Sequence, residues 1–283
     1  MPLVTVYITT YNRLELLKRA VESVRVQSYK NIEIIVADDG SNDGTQSWLN
    51  EQQAEDVLLA IINTTGESKG ACVGRNKAIN MAKGEFVTGL DDDDYFEPWR
   101  IQTFVDKWLD LQAQGSDFAG IFDSIVEHRK YGVVKCYDAP LVTFDALRKE
   151  NAIGNQVFTS KENWLGINGF DEKMPALQDW DTWLRLSSKF GVLYNCLSYS
   201  YVQIHDHGGV RISEKPEAVV RFAFERLIDK VAPLSFSEKL ALTYRLYSYG
   251  QVKPRFKELF ILAIGFKLRR IAQVLKRTVL KNQ

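Results

Sequence analysis

Four consecutive aspartates, Asp91–Asp94, form the strongest chemical signal in this sequence. Neighbouring carboxylates cannot all stay ionised and closely packed without a compensating cation, because like charges repel. Carboxylate oxygens are hard ligands that favour magnesium or manganese. The run directly follows Glu85–Leu90, an apolar segment that predicts a β-strand. The sequence therefore predicts a divalent-cation site after this strand, with a solvated acidic loop as the alternative.

Further polar residues follow two other predicted strands. Asp38 and Asp39 end the strand Asn31–Ala37, and Thr9–Arg13 ends the first strand and opens a helix. Ligands of open α/β sheets bind at the carboxyl ends of strands, so the acidic strand ends could converge on one crevice. Tyr11 there could stack on a flat base. The structural alternatives are an Asx turn at the acidic pair and a helix cap at Asn12.

The elements that must position these residues alternate between strands and helices. The apolar patterns predict strands at 3–9, 31–37, 57–62, 85–90, 117–126, 131–137, 192–194 and 198–204. They predict helices from residue 14 and at 69–83 and 178–190, and, after a loop at 205–213, at about 214–231, 236–248 and 254–279. Strand–helix alternation at this spacing predicts a mainly parallel sheet covered on both faces.

The composition is that of a globular α/β protein rather than a disordered or membrane-spanning one. The chain has 283 residues, 45% hydrophobic, with no biased tract. The first residues lack a basic region and a cleavage site, so no signal peptide is expected. The longest apolar runs, Val57–Ile62 and Phe260–Phe266, are far shorter than the roughly 20 residues that span a bilayer. We therefore expect a cytoplasmic protein.

Several motifs of other enzyme classes are absent from the sequence. There is no Gly-x-Gly-x-x-Gly after the first strand, no Gly-x-x-x-x-Gly-Lys-Ser/Thr and no Gly-x-Ser-x-Gly. These absences disfavour dinucleotide oxidoreductases, P-loop ATPases and hydrolases with a serine nucleophile.

Charge is distributed unevenly along the chain. Lys253–Gln283 carries nine basic residues and one acid, so its net charge is +8, and because the whole chain is neutral the preceding residues carry −8. Apolar residues at steps of three or four, from Phe256 to Val279, form one seam of the predicted last helix. This basic amphipathic helix could pack on the catalytic domain or lie on an anionic membrane surface. A nucleic-acid partner is not expected, since no recognised motif accompanies the charge.

Five motifs occur in the order and at the strand positions of a known enzyme family. They are Val6–Arg13 (VYITTYNR), Val36–Ser41 (VADDGS), Gly74–Asn76 (GRN), Gly84–Asp94 (GEFVTGLDDDD), and Gly166–Asp171 (GINGFD) followed by Gln178–Arg185 (QDWDTWLR). Over about residues 1–205 the chain resembles the inverting family-2 glycosyltransferases of the GT-A fold.

This resemblance implies a fold and a domain organisation. The fold would be α/β, of GT-A type, with a Rossmann-like, mainly parallel mixed sheet flanked by helices and an α-helical C-terminal extension. Residues 1–213 would form the catalytic domain, with a nucleotide- and metal-binding half at 1–95 and an acceptor half at 96–213. Residues 214–283 would form the helical extension.

The resemblance also implies roles on the donor side of the reaction. Thr9 and Tyr11 would line the base pocket, and Asp39 would hydrogen-bond the uracil imide. Asp93 would be the principal ligand of a divalent cation, Mn²⁺ or Mg²⁺. The full nucleotide set is Thr9, Tyr11, Arg13, Asp39, Arg75, Asp91 and Asp92, and Asp91 is also assigned to the metal.

On the acceptor side, Asp179 matches the general base of the family. Its structural alternative is a charge that interacts with a helix dipole. Gln178 stands where the family usually has Glu, which puts in doubt any acceptor contact of that Glu. His205 or His207, in a glycine-rich loop, could join the metal, although a plain surface loop is the alternative.

The predicted function is transfer of a sugar from a UDP-sugar to a hydroxyl of a glycan acceptor. By analogy with short bacterial members of the family, that acceptor would be lipid-linked O-antigen, capsule or lipooligosaccharide, and the protein would be peripheral at the inner face of the cytoplasmic membrane. Two alternatives remain at this point. One is a metal-dependent nucleotidyltransferase or nucleotide-sugar phosphohydrolase, and the other is a non-catalytic module that binds nucleotide or glycan.

Overall fold

A computed structural model describes residues 1–55, 58–65, 67–129, 131–204 and 215–265. Twelve strands lie within these residues: β1 (Val4–Thr10), β2 (Ile32–Asp38), β3 (Leu59–Ile62), β4 (Phe86–Asp91), β5 (Tyr95–Phe96), β6 (Phe118–Phe122), β7 (Ile125–Arg129), β8 (Gly132–Cys136), β9 (Leu141–Val142), β10 (Thr159–Ser160), β11 (Val192–Asn195) and β12 (Tyr201–Ile204). The helices are α1 (Leu14–Arg25), α2 (Thr45–Ala54), α3 (Ala71–Met81), α4 (Arg100–Ala113), α5 (Phe144–Leu147), α6 (Lys161–Gly166), α7 (Gln178–Phe190), α8 (Glu217–Val231), α9 (Phe236–Leu246) and α10 (Phe256–Gly265).

The main sheet is mixed but mostly parallel, with the order β10-β4-β1-β2-β3. β1, β2, β3 and β4 run in parallel, and only the short β10 pairs antiparallel, with β4. Two smaller sheets have the orders β6-β11-β9 and β5-β12-β7-β8. The predicted mainly parallel α/β architecture is therefore confirmed.

Both faces of β1 are buried, because its side chains alternate between two packed layers. Val4, Val6 and Ile8 join an apolar cluster that includes residues of α1 and α4. Tyr7 points to the opposite face, where its ring lies 6.4 Å from Trp164 and 6.5 Å from Phe170. Coverage on both sides explains why Thr5 and Tyr7, on the second face of this strand, are as buried as the valines on the first.

The predicted strand at 117–126 is wrong as a single element. It is two strands, β6 and β7, interrupted at Asp123 and Ser124. The Asp123 carboxylate accepts hydrogen bonds from the backbone N–H groups of Ser198, Tyr199 and Ser200. Because this carboxylate accepts hydrogen bonds from the backbone of residues 198–200, the chain leaves the strand at Asp123. The alternation of side chains in the sequence does not reveal this.

Helix prediction succeeded where the apolar periodicity was strong. α7 has the predicted bounds, and α8 and α9 begin and end within three residues of theirs. α2 and α4 were not predicted. The predicted last helix is described only as α10, and its basic continuation from residue 266 lies outside the described residues.

The described residues fall into two compact units. The first contains Met1–Leu147, Asn151–Lys173 and 178–204, and the second contains Arg148–Glu150, Met174–Leu177 and 215–265. In the second unit, Arg148 Nε lies 2.5 Å from Glu238 Oε1, and Glu238 also completes a capping box with Ser235 at the start of α9. The predicted boundary at residues 213 and 214 lies outside the described residues and stays a prediction.

Candidate functional site

Parallel register brings the acidic strand ends to one edge of the main sheet. In β1, Thr9 pairs with Asp91 of β4, and Thr10 pairs with Asp38 of β2. β1 therefore separates the two acidic strand ends by the width of one strand. This is the carboxyl edge at which open α/β sheets bind ligands.

The four aspartates of the run divide into two accessible and two enclosed carboxylates. The side chains of Asp91 and Asp93 are 26% and 20% exposed, whereas Asp92 is 6% exposed. Asp94 is buried and accepts hydrogen bonds from the Tyr201 hydroxyl at 2.9 Å and the Ile204 N–H at 3.3 Å. Asp92 and Asp94 are therefore enclosed, whereas Asp91 and Asp93 are partly exposed to solvent.

Two arginines supply positive charge to the acidic run. Arg13 Nη1 lies 3.0 Å from Asp92 Oδ1 and 2.9 Å from Asp93 Oδ2, and Arg75 Nη2 lies 3.0 Å from Asp91 Oδ1. Burial raises the pKa of Asp92 to about 6, although the Thr10 hydroxyl and Arg13 oppose that rise. From the sequence we considered only a metal ion as the source of compensating charge. The ion pairs that Arg13 and Arg75 form with these aspartates were missed.

Asp38 and Asp39, at the end of β2, also differ in their exposure to solvent. Asp38 is buried and accepts from the Ser41 N–H and hydroxyl, which is an Asx turn. Asp39 is half-buried and accepts from the N–H groups of Lys69 and Gly70 at 2.8 Å, and from the Ser68 hydroxyl at 2.5 Å. Burial alone would raise the pKa of Asp39, but these hydrogen bonds outweigh it and lower the pKa. Asp39 is therefore an anionic acceptor at this edge.

The residues after β1 are partly exposed. Tyr11 is 49% exposed, and Thr9 is half-buried. Asn12 does not cap α1; its Oδ1 accepts from the Asn42 N–H at 2.7 Å, and Asp43 accepts from the Leu14 N–H at 3.0 Å instead. The structural alternative of a helix cap at Asn12 is therefore wrong, because that side chain contacts the loop after β2.

Arg75 interacts electrostatically with both Asp91 and Asp179. Its guanidinium pairs with Asp91 and lies 5.1 Å from the centroid of the Phe170 ring. Burial would lower the pKa of Arg75, but the charges of Asp91 and Asp179, among others, raise it overall. One cation on α3 thus lies within range of both carboxylates.

Asp179, the second residue of α7, is a half-buried carboxylate that accepts from a side-chain amide. Its Oδ2 accepts from Asn151 Nδ2 at 2.9 Å. Burial raises the pKa of Asp179; the Trp180 N–H and Arg75 lower it, and Asp91 raises it further. A raised pKa makes this carboxylate a stronger base than an exposed aspartate.

Sequence reasoning missed three amides that contact these acids: Asn151, Asn155 and Gln156. Asn155 Nδ2 donates to Asp91 Oδ2 at 2.7 Å, and Gln156 Nε2 donates to Asp91 Oδ1 at 3.1 Å. Gly89 allows this approach, because a Cβ there would lie 2.2 Å from Gln156 Oε1. An amide in a loop has no periodic signature, so only the run Asn-Ala-Ile-Gly-Asn-Gln at 151–156, which contains all three amides, offered a hint.

Within the described ranges, no group of three His, Cys, Asp or Glu side chains is arranged to hold a metal ion. His205 and His207 lie outside those ranges. The described helices include none that is long and apolar enough to cross a membrane.

Comparisons with known proteins assign the family. Residues 5–159 match Glycosyl transferase family 2, so Asp179 lies beyond the matched region. The putative colanic acid biosynthesis glycosyl transferase WcaA of Escherichia coli K12 is 32% identical over 223 residues, covering 76% of this chain and 77% of that protein. A GalNAc(5)-diNAcBac-PP-undecaprenol beta-1,3-glucosyltransferase of Campylobacter jejuni is 29% identical over 189 residues, covering 61% of each chain.

Solved structures agree on the fold. TarS of S. aureus in complex with UDP-GlcNAc has a TM-score of 0.64 at 18% identity, covering 96% of this chain and 78% of that one. A Pyrobaculum calidifontis mannosyltransferase in complex with GDP-Man and Mn²⁺ has a TM-score of 0.63 at 18% identity, covering 100% and 81%. The fold is that of GT-A glycosyltransferases. The chain belongs to glycosyl transferase family 2 and is a glycosyltransferase.

Proposed function

We propose that this glycosyltransferase moves a sugar from a UDP-sugar to a hydroxyl of a glycan acceptor, with inversion at the anomeric carbon. One observation carries the proposal: Asp179, a carboxylate with a raised pKa, lies within electrostatic range of Asp91 and Arg75 at the acidic sheet edge. A base and a donor site at one edge are what direct sugar transfer requires.

The proposed reaction needs one proton transfer and one displacement. Asp179 accepts the proton of the acceptor hydroxyl, and that oxygen forms a bond to the anomeric carbon. The bond from this carbon to the diphosphate oxygen breaks, and UDP leaves with the electron pair. Attack from the face opposite the leaving group inverts the centre without a covalent enzyme intermediate.

A divalent cation, Mn²⁺ or Mg²⁺, fits the accessible half of the acidic run. Asp93 and Asp91 offer hard oxygen donors and keep the most exposed side chains of the run. We propose that Asp93, helped by Asp91, holds the cation, with its remaining ligands coming from outside the protein. When bound, such a cation would neutralise charge that develops on the diphosphate leaving group.

The nucleotide is proposed to lie against the ends of β1 and β2. Tyr11 would stack on the base, beside Thr9, and the Asp39 carboxylate would accept from the imide N–H of uracil. Arg13 and Arg75, which already pair with Asp91–Asp93, would hold those acids beside the ribose. The S. aureus neighbour was solved with UDP-GlcNAc and the Pyrobaculum neighbour with GDP-Man, so the base is the first thing to test.

We further propose that residues 1–213 form a catalytic domain and residues 214–283 its helical extension. The acceptor is proposed to be lipid-linked, and the extension is proposed to lie at the membrane surface. The Campylobacter relative is named for an undecaprenol-linked acceptor. Phe256 is 88% exposed at the start of α10, in the basic segment Lys253–Gln283. Flotation with phosphatidylglycerol vesicles, but not with phosphatidylcholine vesicles, is expected, and Lys253→Glu with Arg255→Glu should weaken it.

Calorimetric titration with UDP tests the donor site. UDP should bind with Mn²⁺ and be released by EDTA, and ADP and GDP should bind more weakly. Absence of UDP binding with and without Mn²⁺ would remove the base-pocket roles of Tyr11 and Asp39. Stronger binding of GDP would keep the site and change the donor class.

Asp179→Asn tests the base. The variant should bind UDP as the wild type does, while transfer from a UDP-sugar to a lipid-linked saccharide falls by about 10²- to 10⁴-fold. Asp110→Asn, an exposed acid on α4, is the matched control and should leave both quantities unchanged. Normal transfer by Asp179→Asn would show that another group takes the proton.

A further inference from the structure

The segment Asn151–Gln156 contacts both functional carboxylates of the proposed site. Its first residue, Asn151, donates to Asp179, and its last two, Asn155 and Gln156, donate to Asp91. We call this segment the amide loop. Neither the family match nor the motifs of the sequence assign a role to these amides.

At its first end, hydrogen bonds fix which way the Asn151 amide faces. Asn151 Oδ1 accepts from the N–H groups of Ile153 and Gly154, both at 3.2 Å. Its Nδ2 donates to the Gly154 carbonyl at 3.0 Å and to Asp179. A flipped amide would place its oxygen against the carboxylate and its N–H group against other donors, so only the donor orientation is satisfied.

The amide loop is also attached to the helix that carries Asp179. The Gly154 carbonyl accepts from the buried Trp183 Nε1 at 2.9 Å, and Trp183 lies one turn after Asp179 on α7. The Asn151 side chain, which donates to the carboxylate, and α7, which bears the carboxylate, are therefore both hydrogen-bonded to the Gly154 carbonyl. This arrangement restricts the position of the carboxylate as well as its rotation.

At the other end, two amides hold Asp91 by both oxygens. Gln156 is buried, and its Oε1 accepts from the Tyr7 hydroxyl at 3.2 Å, which leaves Nε2 to face Asp91. Asn155 Nδ2 also donates to the Tyr201 hydroxyl at 3.0 Å, while its buried Oδ1 has no hydrogen-bond partner among the described residues. An orphaned carbonyl destabilises the fold, so this amide is oriented for Asp91 at the expense of its own oxygen.

From this geometry we propose that the amide loop is a positioning element that fixes Asp179 relative to Asp91. Asn151 orients the carboxylate that receives the acceptor proton, and Asn155 and Gln156 orient the carboxylate on the donor side. The inference rests on the proposed function, because it needs Asp179 as base and Asp91 in the donor site. Correct placement of reacting groups is worth large rate factors, and an error of about 1 Å can cost about 100-fold.

Asn151→Ala tests the base end of the amide loop. The maximal transfer rate should fall about 10- to 100-fold, while UDP affinity with Mn²⁺ stays within about threefold of the wild type. Asn163→Ala is the matched control, because it removes a part-buried amide that donates to the Ala119 carbonyl and the Thr159 hydroxyl, away from Asp91 and Asp179 among the described contacts. The control should retain the wild-type rate. An unchanged rate in Asn151→Ala would overturn the proposal.

Asn151→Asp, which preserves shape, provides a test if the alanine variant does not fold. Among the described residues, the titratable groups that act on Asp179 electrostatically include Arg75 and Cys72 of α3 and Asp91 of β4. An added carboxylate beside Asp179 should raise the pKa of the base by repulsion. The acid limb of the transfer rate should therefore move to higher pH, and a limb that stays in place would show that residue 151 does not contact the base and would overturn the proposal.

Gln156→Ala tests the donor end and should show the opposite pattern. UDP affinity with Mn²⁺ should fall about tenfold, and the acid limb of the transfer rate should stay in place. If Asn151→Ala and Gln156→Ala instead weaken UDP binding equally, the division of roles along the amide loop is wrong. A failure of the proposed function is distinguishable, because Asp179→Asn would then transfer sugar normally whatever the amide variants do.

Discussion

Two regions of this molecule place an aspartate beside an arginine at the end of an apolar strand, and they use the pair differently. Asp123 follows β6 and lies 3.3 Å from Arg100 Nη1, with both side chains only 1% exposed. Asp93 follows β4 and lies 2.9 Å from Arg13 Nη1, with Asp93 20% and Arg13 30% exposed. Residue type is the same and both aspartates follow a strand end within two positions, so the surroundings account for the difference in exposure.

The surroundings of Asp123 leave its carboxylate no capacity for a ligand. Three backbone N–H groups and the hydroxyls of Ser198 and Ser200 donate to it, in addition to Arg100. The Arg100 guanidinium lies 4.3–5.1 Å from the centroids of three aromatic rings, Phe96, Phe104 and Tyr201. A carboxylate can bind a ligand only where its enclosure is incomplete, and Asp91 and Asp93, the proposed metal ligands, are partly exposed.

Asp123→Ala should have the largest effect of the predicted changes, and the effect should be on stability. It removes one partner of a buried ion pair and leaves Arg100 unpaired, which costs about 3–5 kcal/mol in free energy of unfolding. Denaturant unfolding followed by circular dichroism measures this cost. A loss of less than about 1 kcal/mol in free energy of unfolding would contradict the comparison, because the buried pair would then contribute no more to stability than an exposed one.

Asp93→Ala should give the reverse result. Its free energy of unfolding should stay within about 1 kcal/mol of the wild type, because partly exposed ion pairs contribute little. UDP affinity in the presence of Mn²⁺ should fall at least about tenfold, and UDP affinity in EDTA should match that of the wild type. Titration calorimetry and denaturant unfolding on one preparation check both halves. Mn²⁺-dependent binding that survives the substitution would contradict the metal role of Asp93.

The sequence predicted the main sheet well, because its parallel strands are buried on both faces and leave strong apolar runs. It missed β5 and β9 of the smaller sheets, which are only two residues long. It also failed at Asp123, where a single side chain ends one strand and another begins two residues later. Tertiary hydrogen bonds to residues about 75 positions away decide that break, and no local pattern records them.

The candidate site was predictable to the extent that it consists of charges at strand ends. Asp91–Asp94 and Asp39 were found in this way, and their roles stay predictions. The amides of the amide loop were missed, because asparagine and glutamine in a loop serve turns, caps and surfaces equally well. The ion pair between Arg13 and Asp92 was missed for a related reason. The two residues are 79 positions apart, so the local spacing of residues does not indicate that they meet.

Asp179 extends the comparison to a carboxylate that is enclosed less than Asp123 but has a raised pKa. As a base it must be deprotonated, and burial keeps it protonated to a higher pH than an ordinary aspartate. The transfer rate should therefore fall as pH decreases through a value above about 3.9, by up to about tenfold per unit below it. A pH profile of kcat/KM measures this limb. A flat profile down to pH 4 would contradict Asp179 as the base.

The smallest predicted effect tests whether Arg75 tunes that base. Arg75 and Asp91 act on Asp179 in opposite directions, the arginine lowering its pKa and the aspartate raising it. Arg75→Gln removes the positive charge, so the pKa of Asp179 should rise and the acid limb of kcat/KM should move to higher pH. Arg75→Lys keeps the charge and should leave the limb near its wild-type position, although it loses the planar pairing with Asp91. If both variants move the limb equally, Arg75 acts on Asp179 through the shape of the site rather than through charge.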